Sequence, residues 1–301
     1  MMRRRQPLRP AEAAPPGDGI SIVIRALNEG QHLGTCLQAI GQQLIHRPVE
    51  VVLVDSGSTD ATLDIAQAHG CRIETLAPGA FSFGRALNLG VRASQHPIVV
   101  SLSAHCVPAD ERWLSCLVAP LLEGQAAMAF GSHVAPATSR SSEMNYFAWK
   151  YRGPSGLTRR PLMNNGNAAF LQALWRQHPF DEALPAQEDM AFCQWHQHHG
   201  QRLFYVAEAQ VTHHHNDRNH ALYRRLYREL AVEFHLGERS RKDFFLFLAA
   251  MPVHVVQDLA TSRRKRAMLK ALKGILAFRG VQAAAYWRAW QSFDRFIHPD
   301  R

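Results

Sequence analysis

The first hundred residues alternate short apolar runs with segments of helical character, and this alternation constrains the fold more than any other feature. The apolar runs, rich in β-branched residues, lie at 20–24, 49–54 and 98–102, and residues 71–76 are predicted to form a further strand. Continuous apolar runs of this length are typical of parallel strands that are covered on both faces. Helices are expected between them, near 31–45, 60–69 and 85–95. The sequence therefore predicts a doubly wound α/β sheet with crossover helices.

The rest of the chain has a less regular pattern. It predicts a helix near 110–123, a strand near 127–134 and a loop-rich stretch through residue 164. Helices near 169–177 and 188–199 follow, and then a strand at 202–206. From about residue 218 the pattern is helical to the end, with breaks near Gly237 and Gly280.

Composition indicates three regions. Residues 1–19, rich in Pro, Ala and Arg, are expected to be a disordered tail without the apolar core of a signal peptide. Residues 20–217 form the predicted main domain, with halves at about 20–108 and 109–217, and residues 218–301 a basic helical region. The apolar run at 244–256 is about half the length of a bilayer span, so no transmembrane helix is expected. Five scattered cysteines argue against a disulfide framework and fit a reducing compartment.

Positive charge is concentrated at the C-terminal end. The chain has 34 Lys and Arg residues and 25 Asp and Glu residues. Residues 222–301 contain 16 of the basic and 7 of the acidic residues, so residues 1–221 contain 18 of each kind. The net charge of +9 therefore belongs to the last quarter of the chain. Residues 263–290 predict a basic amphipathic helix with aromatic residues near its end, which is typical of helices at an anionic membrane surface. The alternative is a solvated basic face on an ordinary helical subdomain; no nucleic-acid-binding module is recognised.

Polar residues follow each predicted strand of the first half. They are 25–29, 55–60, 81–85 and 103–106. Ligands of open parallel sheets bind outside the carboxyl ends of the strands, where the strand order reverses. Asp55, directly after the second strand, could accept a hydrogen bond from a nucleobase imide or from a ribose. Its alternative role is to cap the next helix.

Several motifs occur in the order seen in one enzyme family. They are S-I-V-I-R-A-L-N-E-G, V-V-L-V-D-S-G-S-T-D-A-T, N-N-G-N-A-A-F, P-F-D-E-x-L-x-x-x-E-D and Y-x-x-x-A-x-V-x-H-x-H, within about residues 20–215. In this the chain resembles glycosyltransferase family 2, and most of all its bacterial polysaccharide and rhamnosyltransferase-like branch. The resemblance implies a GT-A fold, which is a mixed doubly wound sheet flanked by helices, here with a C-terminal helical extension. It also implies inverting transfer from a nucleotide-sugar.

The resemblance also implies positions for the site. Donor-nucleotide residues would be Leu27, Asn28, Glu29, Asp55, Gly57, Arg85, Asn88, Ser103 and His105. The sugar or acceptor pocket would be lined by Asn164, Asn165, Gly166 and Asn167. Asp189 matches the catalytic base, and Glu188 precedes it. Chemistry supports this role, because inverting transfer needs one carboxylate to take the proton of the attacking hydroxyl. The alternative for these two acids is to favour the dipole of the helix that they begin.

The metal motif of the family is altered. Ser103, Ala104 and His105 stand where the family has an Asp-x-Asp motif that holds Mg²⁺ or Mn²⁺. Because Mg²⁺ prefers oxygen ligands, a standard magnesium site is weakened. His105, His213 and His215 could hold a softer divalent ion, or His105 could donate a hydrogen bond to a phosphate. The other hypotheses are a donor with a leaving group that needs less help, and a site without activity.

These observations predict an inverting glycosyltransferase of cell-envelope or capsular polysaccharide synthesis. Its partners would be a nucleotide-sugar, a glycan or lipid-linked acceptor and an anionic membrane surface. Its expected location is cytoplasmic, peripheral at the inner face of the plasma membrane. The rival hypothesis is a non-catalytic subunit that binds nucleotide-sugars or glycans and has lost the metal motif.

Overall fold

The structure, a computed structural model, describes residues 19–214, 219–262 and 268–297. The strands are β1 Ile20–Ala26, β2 Val49–Asp55, β3 Arg72–Thr75, β4 Ile98–Ser103, β5 Cys106–Pro108, β6 Met128–Val134, β7 Gly156–Thr158, β8 Asn167–Leu171 and β9 Leu203–His213. The helices are α1 Leu33–Gly41, α2 Thr62–Ala68, α3 Phe83–Ala93, α4 Trp113–Leu122, α5 Ser141–Lys150, α6 Gln172–Gln177, α7 Glu188–His198, α8 Asn219–His235, α9 Arg241–Thr261 and α10 Met268–Ile297. Residues 1–18 of the predicted N-terminal tail, His215 and the basic run 263–267 lie outside the described residues.

The nine strands of the described residues belong to one mixed sheet. The strand order is β3-β2-β1-β4-β8-β6-β9-β5, and β7 pairs with β9. β1 lies parallel to β2 and β4, and β2 lies parallel to β3. β8 pairs antiparallel with β4 and β6, and β9 pairs antiparallel with β5 and β7. The β-branched runs of β1 and β4 are buried on both faces, as parallel strands between two helix layers require.

The register of the parallel strands brings their carboxyl ends to one edge of the sheet. Ala26 at the end of β1 is opposite Asp55 at the end of β2. Arg25 is opposite Ser103 at the end of β4. The loops that follow these strands therefore begin side by side, as the alternating pattern predicts.

The chain forms two compact units. Unit 1 contains residues up to His133, Tyr151–Ala183 and Glu188–His213, and unit 2 contains Val134–Lys150, Leu184–Gln187 and the chain from His214 onward. Unit 1 holds most of the sheet and the helices α1 to α4, α6 and α7. Unit 2 holds α5 and the three C-terminal helices.

Unit 2 has its own core. Ala231, Phe234, Phe244, Tyr286 and Ala289 form a buried apolar cluster that joins α8, α9 and α10.

A second feature of unit 2 is an ion pair inside it. Arg279 donates through Nε to Asp258 Oδ2 and through a terminal nitrogen to Oδ1, both at 2.9 Å. Asn145 on α5 donates to the same carboxylate at 3.0 Å. Asp258 has no exposed surface, so a single buried charge pair connects α5, α9 and α10.

Several sequence-based assignments were wrong. The predicted loop region through 164 contains α5 and β7, and residues 167–171, partly assigned to a helix, form β8. The short strand β5 was also missed. The helix break near Gly237 is confirmed, but α10 runs without a break through Gly280. A glycine inside a helix costs only about 1 kcal/mol relative to alanine, which tertiary packing readily offsets.

α9 is longer than the apolar run at 244–256, from which no membrane-spanning helix was expected. Among the described residues it is the one helix long and apolar enough to cross a membrane, judged by length and composition only, although it contains Pro252. At about 1.5 Å per residue, its 21 residues extend over roughly 30 Å. Only 11% of its apolar window is buried. Its large exposed apolar side chains are Phe245, Leu246, Leu248, Val253 and Val256.

Candidate active site

Two buried carboxylates lie at the start of α7. Glu188 and Asp189 are 4% and 8% exposed. The Asp189 carboxylate accepts from the backbone N–H of Asn165 and of Met190, both at 2.8 Å. The Asn165 side chain donates to Glu188 Oε1 at 3.2 Å. The segment before β8 therefore holds both acids that the sequence analysis singled out.

Arg25, at the end of β1, completes this arrangement. Its guanidinium donates to Glu188 Oε1 at 3.1 Å and lies over the ring of Phe83. Because Arg25 is also in register with Ser103, the acid pair lies at the strand-end edge of the sheet. Arg25 belongs to the first strand-end loop but was not among the predicted site residues. Its contact with Glu188 becomes visible only in the tertiary structure, where the end of β1 lies beside the start of α7.

The surroundings of Asp189 favour a proton acceptor. Burial and the neighbouring Glu188 raise its pKa to about 7, while the backbone hydrogen bonds and Arg25 act in the opposite direction. A carboxyl group with a pKa near the working pH can both take up and release a proton. This is the property that a general base needs.

The loops after β1 and β2 are tied to each other. Asn28, which has a positive φ of 55°, accepts from the Thr59 N–H, and its own N–H donates to Ser58 Oγ. The Asp55 carboxylate is 2% exposed and accepts from the N–H groups of Gly57 and Ser58. Gly57 has a φ of +100°, which suits glycine. Asp55 therefore stabilises the turn that follows it, a role similar to the helix-capping alternative given above. Leu27, in the neighbouring loop, is exposed.

Arg85 and Asn88, predicted to flank a nucleotide, are bound to the segment that precedes α7. Arg85 Nε donates to Glu182 at 2.7 Å, and Asn88 Nδ2 donates to Glu182 and to the Phe180 carbonyl. The Asn88 carbonyl oxygen accepts from the Trp175 indole and from the Phe180 N–H. Asn88 is buried, so its polar atoms stabilise the fold. Half-exposed Arg85 is the one of the two that faces solvent.

The predicted sugar-pocket residues divide into two kinds. Asn165 contacts the acid pair, whereas Asn167 is fully buried and holds Trp113 and two backbone carbonyls. Asn164 accepts from the Gly166 N–H and donates to the Tyr151 hydroxyl. The structure thus brings Asn165 to Glu188 and Asp189 and gives Asn167 a packing role.

His105, which replaces the family carboxylate, lies next to another carboxylate. Its Nδ1 is 2.8 Å from Glu29 Oε1, and its Nε2 is 3.2 Å from Ser103 Oγ. The ring stacks on His213 at 5.2 Å between centroids with an interplanar angle of 26°. The arrangement favours His105 as a hydrogen-bonding group.

His213 approaches two residues that were not predicted as site residues. It lies directly opposite Cys106 across the β5–β9 pair, and its Nδ1 is 3.0 Å from Nδ1 of His133. Burial raises the pKa of the Cys106 thiol well above its usual range. Among the described residues, Cys106, His133 and His213 form the group of three that could hold a metal ion, with ligand atoms within 4.8 Å of one another. The sequence carries no spacing signal for this group because its members come from three separate strands.

Comparisons with known proteins identify the family and the fold of this chain. The family model described as "Glycosyl transferase family 2" matches residues 21–181, more than half of the chain. The chain belongs to this family. The mixed sheet with flanking helices confirms the expected α/β fold of GT-A type, together with the C-terminal helices.

A curated relative of this family 2 chain is the glucosyl-3-phosphoglycerate synthase of Mycolicibacterium paratuberculosis. It is 33% identical over 122 residues, which cover 38% of this chain and 36% of the relative. The chain thus matches little more than a third of the length of that relative.

Solved structures show the same fold over almost the whole chain. The mannosyltransferase PcManGT from Pyrobaculum calidifontis, in complex with GDP-Man and Mn²⁺, gives a TM-score of 0.60 at 17% identity, covering 95% of this chain and 90% of that one. S. aureus TarS 1–349, in complex with UDP, gives 0.55 at 15% identity, covering 92% of each chain.

Proposed function

We propose that this family 2 protein is an inverting glycosyltransferase that moves a sugar from a nucleotide-sugar to a hydroxyl group of a glycan or lipid-linked acceptor. The observation that carries the proposal is the buried pair Glu188 and Asp189 at the strand-end edge, with the raised pKa of Asp189. Structural neighbours with bound UDP and GDP-Man support a nucleotide-linked donor.

In this proposal Asp189 takes the proton of the acceptor hydroxyl as its oxygen attacks the anomeric carbon. The bond from that carbon to the nucleotide phosphate breaks at the same time, and the configuration inverts. Glu188 and Arg25 act by changing the pKa of Asp189. The Glu188 carboxylate favours the protonated form of Asp189, and the Arg25 guanidinium opposes this effect. The Asn165 N–H donates to Oδ2 and the Met190 N–H donates to Oδ1, so the two backbone contacts fix the orientation of the carboxylate, and each oxygen keeps a further lone pair for the acceptor proton.

We further propose that the polar loops at the strand-end edge bind the donor nucleotide. Leu27 and Arg85 offer an exposed apolar group and an exposed cation, while Asn28, Asp55 and Gly57 keep the loop in shape. Ser103, His105 and Glu29 form a hydrogen-bonded set where donor phosphates would lie. A divalent ion bound through His213 would add positive charge to stabilise the leaving phosphate.

The chain would act at a membrane. Unit 2 carries the excess positive charge, and α9 adds an exposed apolar face. Exposed Arg241 and Lys242 at the start of α9 are suited to anionic headgroups. We therefore propose a peripheral position at the inner face of the plasma membrane, in envelope or capsular polysaccharide synthesis.

The test is a donor panel. Purified protein is incubated with UDP-, GDP-, dTDP- and CMP-sugars, with Mn²⁺ or with EDTA, and with acceptor extracts. Nucleotide release is followed by chromatography, and the anomeric configuration of the product by NMR. Calorimetric titration with the free nucleotides runs in parallel. We expect one nucleotide to bind and its sugar to be transferred with inversion. Binding without turnover of any donor would support the non-catalytic rival, and no binding of any nucleotide would overturn the donor assignment.

A further inference from the structure

We infer that Cys106, His133 and His213 form a Zn²⁺-class metal site built from three adjacent strands. The sheet order places β9 between β6 and β5, so His213 has His133 on one side and Cys106 on the other. Their possible ligand atoms, one sulfur and two imidazole nitrogens, lie within 4.8 Å of one another.

The spacing of these groups suits one small ion. The Nδ1 atoms of His133 and His213 are 3.0 Å apart, and their rings are tilted by 44°. Ligand nitrogens at about 2.0–2.1 Å from a tetrahedral ion lie only slightly farther apart than this. Cys106 and His213 are register partners on neighbouring strands, so their side chains emerge on the same face of the sheet.

Gly166 lies against two of the candidate ligands. A Cβ atom added to Gly166 would lie 3.0 Å from His133 Cε1 and 3.5 Å from Cys106 Sγ. Glycine at 166 therefore lets the backbone approach the two candidate ligands without a side chain between them. The ring of Tyr151 stacks on His133 at 4.7 Å, and this contact fixes the orientation of the imidazole.

The donor set determines which ion is preferred. One thiolate and two imidazoles suit Zn²⁺ and Co²⁺, whereas Mg²⁺ prefers oxygen ligands. Three protein ligands also leave the fourth tetrahedral position open, as in catalytic zinc sites. A catalytic part for the ion rests on the proposed function, whereas its binding does not.

The experiment uses Co²⁺ as a spectroscopic probe on the tag-free full chain after EDTA treatment and dialysis. We expect a near-ultraviolet thiolate-to-cobalt charge-transfer band together with tetrahedral visible bands. Both should disappear on addition of one equivalent of Zn²⁺ and persist in excess Mg²⁺. The band requires sulfur, so ion binding by the histidines that follow β9 would not produce it.

Variants assign the ligands. Cys106→Ser should abolish the charge-transfer band, while Cys116→Ser, a half-buried cysteine of α4, should keep it. His133→Gln should lower Co²⁺ affinity by more than about 10-fold.

Circular dichroism checks folding, and X-ray absorption of the Zn²⁺-loaded wild type should show one sulfur and at least two nitrogen neighbours. A zinc spectrum without sulfur, or an unchanged band in Cys106→Ser, would overturn the inference. These readouts need no nucleotide, so loss of the donor-panel activity would not affect them.

Discussion

The backbone N–H of Asn165 donates to the Asp189 carboxylate at 2.8 Å, so a main-chain group directs the proposed base. The side chain of the same residue donates to Glu188. One residue in the turn before β8 therefore positions both acids, and substitution of its side chain would remove only the second contact.

The first prediction concerns Asp189→Asn. The amide cannot take a proton from the acceptor, so kcat should fall by about 10²–10⁴-fold. Nucleotide affinity should stay within a factor of two, because the carboxylate acts on the acceptor. Stopped assays and calorimetry measure the two quantities. Asp64→Asn, an exposed acid of α2, is the matched control and should leave both unchanged.

The pH profile gives a second prediction. Since the pKa of Asp189 is raised to about 7, log kcat/KM should fall by one unit per pH unit below that value. The effect on stability has the opposite sign. The folded state favours the protonated acid, so its contribution to stability is lost as the pH rises from about 4 through 7. Urea unfolding of wild type and Asp189→Asn at pH 5 and 8 should show this loss in the wild type only.

Arg25→Met should move the acid limb of the profile to higher pH. The guanidinium lowers the pKa of Asp189 and pairs with Glu188 at 3.1 Å. Removing it leaves a buried carboxylate without its cation, which should cost up to about 3 kcal/mol of unfolding free energy. Arg25→Lys keeps the charge and should restore most of the pH profile. A limb that does not move in Arg25→Met would assign Arg25 to folding alone.

The buried pair of unit 2 gives a prediction about stability. Asp258→Ala should lower the free energy of unfolding by about 3–5 kcal/mol, since it leaves the Arg279 guanidinium buried without its partner. Asp258→Leu combined with Arg279→Met should cost much less, because both charges are removed. Urea unfolding of Asp258→Leu, Arg279→Met and the double variant measures the coupling between the two charges. Equal losses in Asp258→Ala and in the double variant would contradict this account.

Membrane binding through α9 is tested with vesicles. Sedimentation with phosphatidylglycerol vesicles should carry the protein down, and phosphatidylcholine vesicles should do so less. Leu246→Glu and Val253→Glu place charge on the exposed apolar face and should reduce binding by more than about 10-fold. Leu44→Glu, an exposed leucine of unit 1, should bind like the wild type. Resistance to alkaline carbonate extraction would contradict a peripheral position.

The sequence predicted the strands that are buried on both faces, because their apolar runs are continuous and end in turn residues. It failed at β8, where the apolar residues continue into α6 without a turn residue and only the pairing with β4 and β6 selects a strand. α5 was missed because its stability depends on contacts such as that of Asn145 with Asp258.

The same limit applied to the candidate site. Asp189 was predicted because its motif is local. His133 was not, because only the positions of β6 and β9 in the sheet bring it to His213.

The exposed apolar face of α9 also bears on how reaction rates would scale. A transferase held on a bilayer meets a lipid-linked acceptor by lateral diffusion, in two dimensions. Acceptor molecules per unit area, and not per unit volume, would then set its rate. Diluting such vesicles with buffer would leave the rate per bound enzyme unchanged, whereas diluting the acceptor with inert lipid in the same vesicles would lower it.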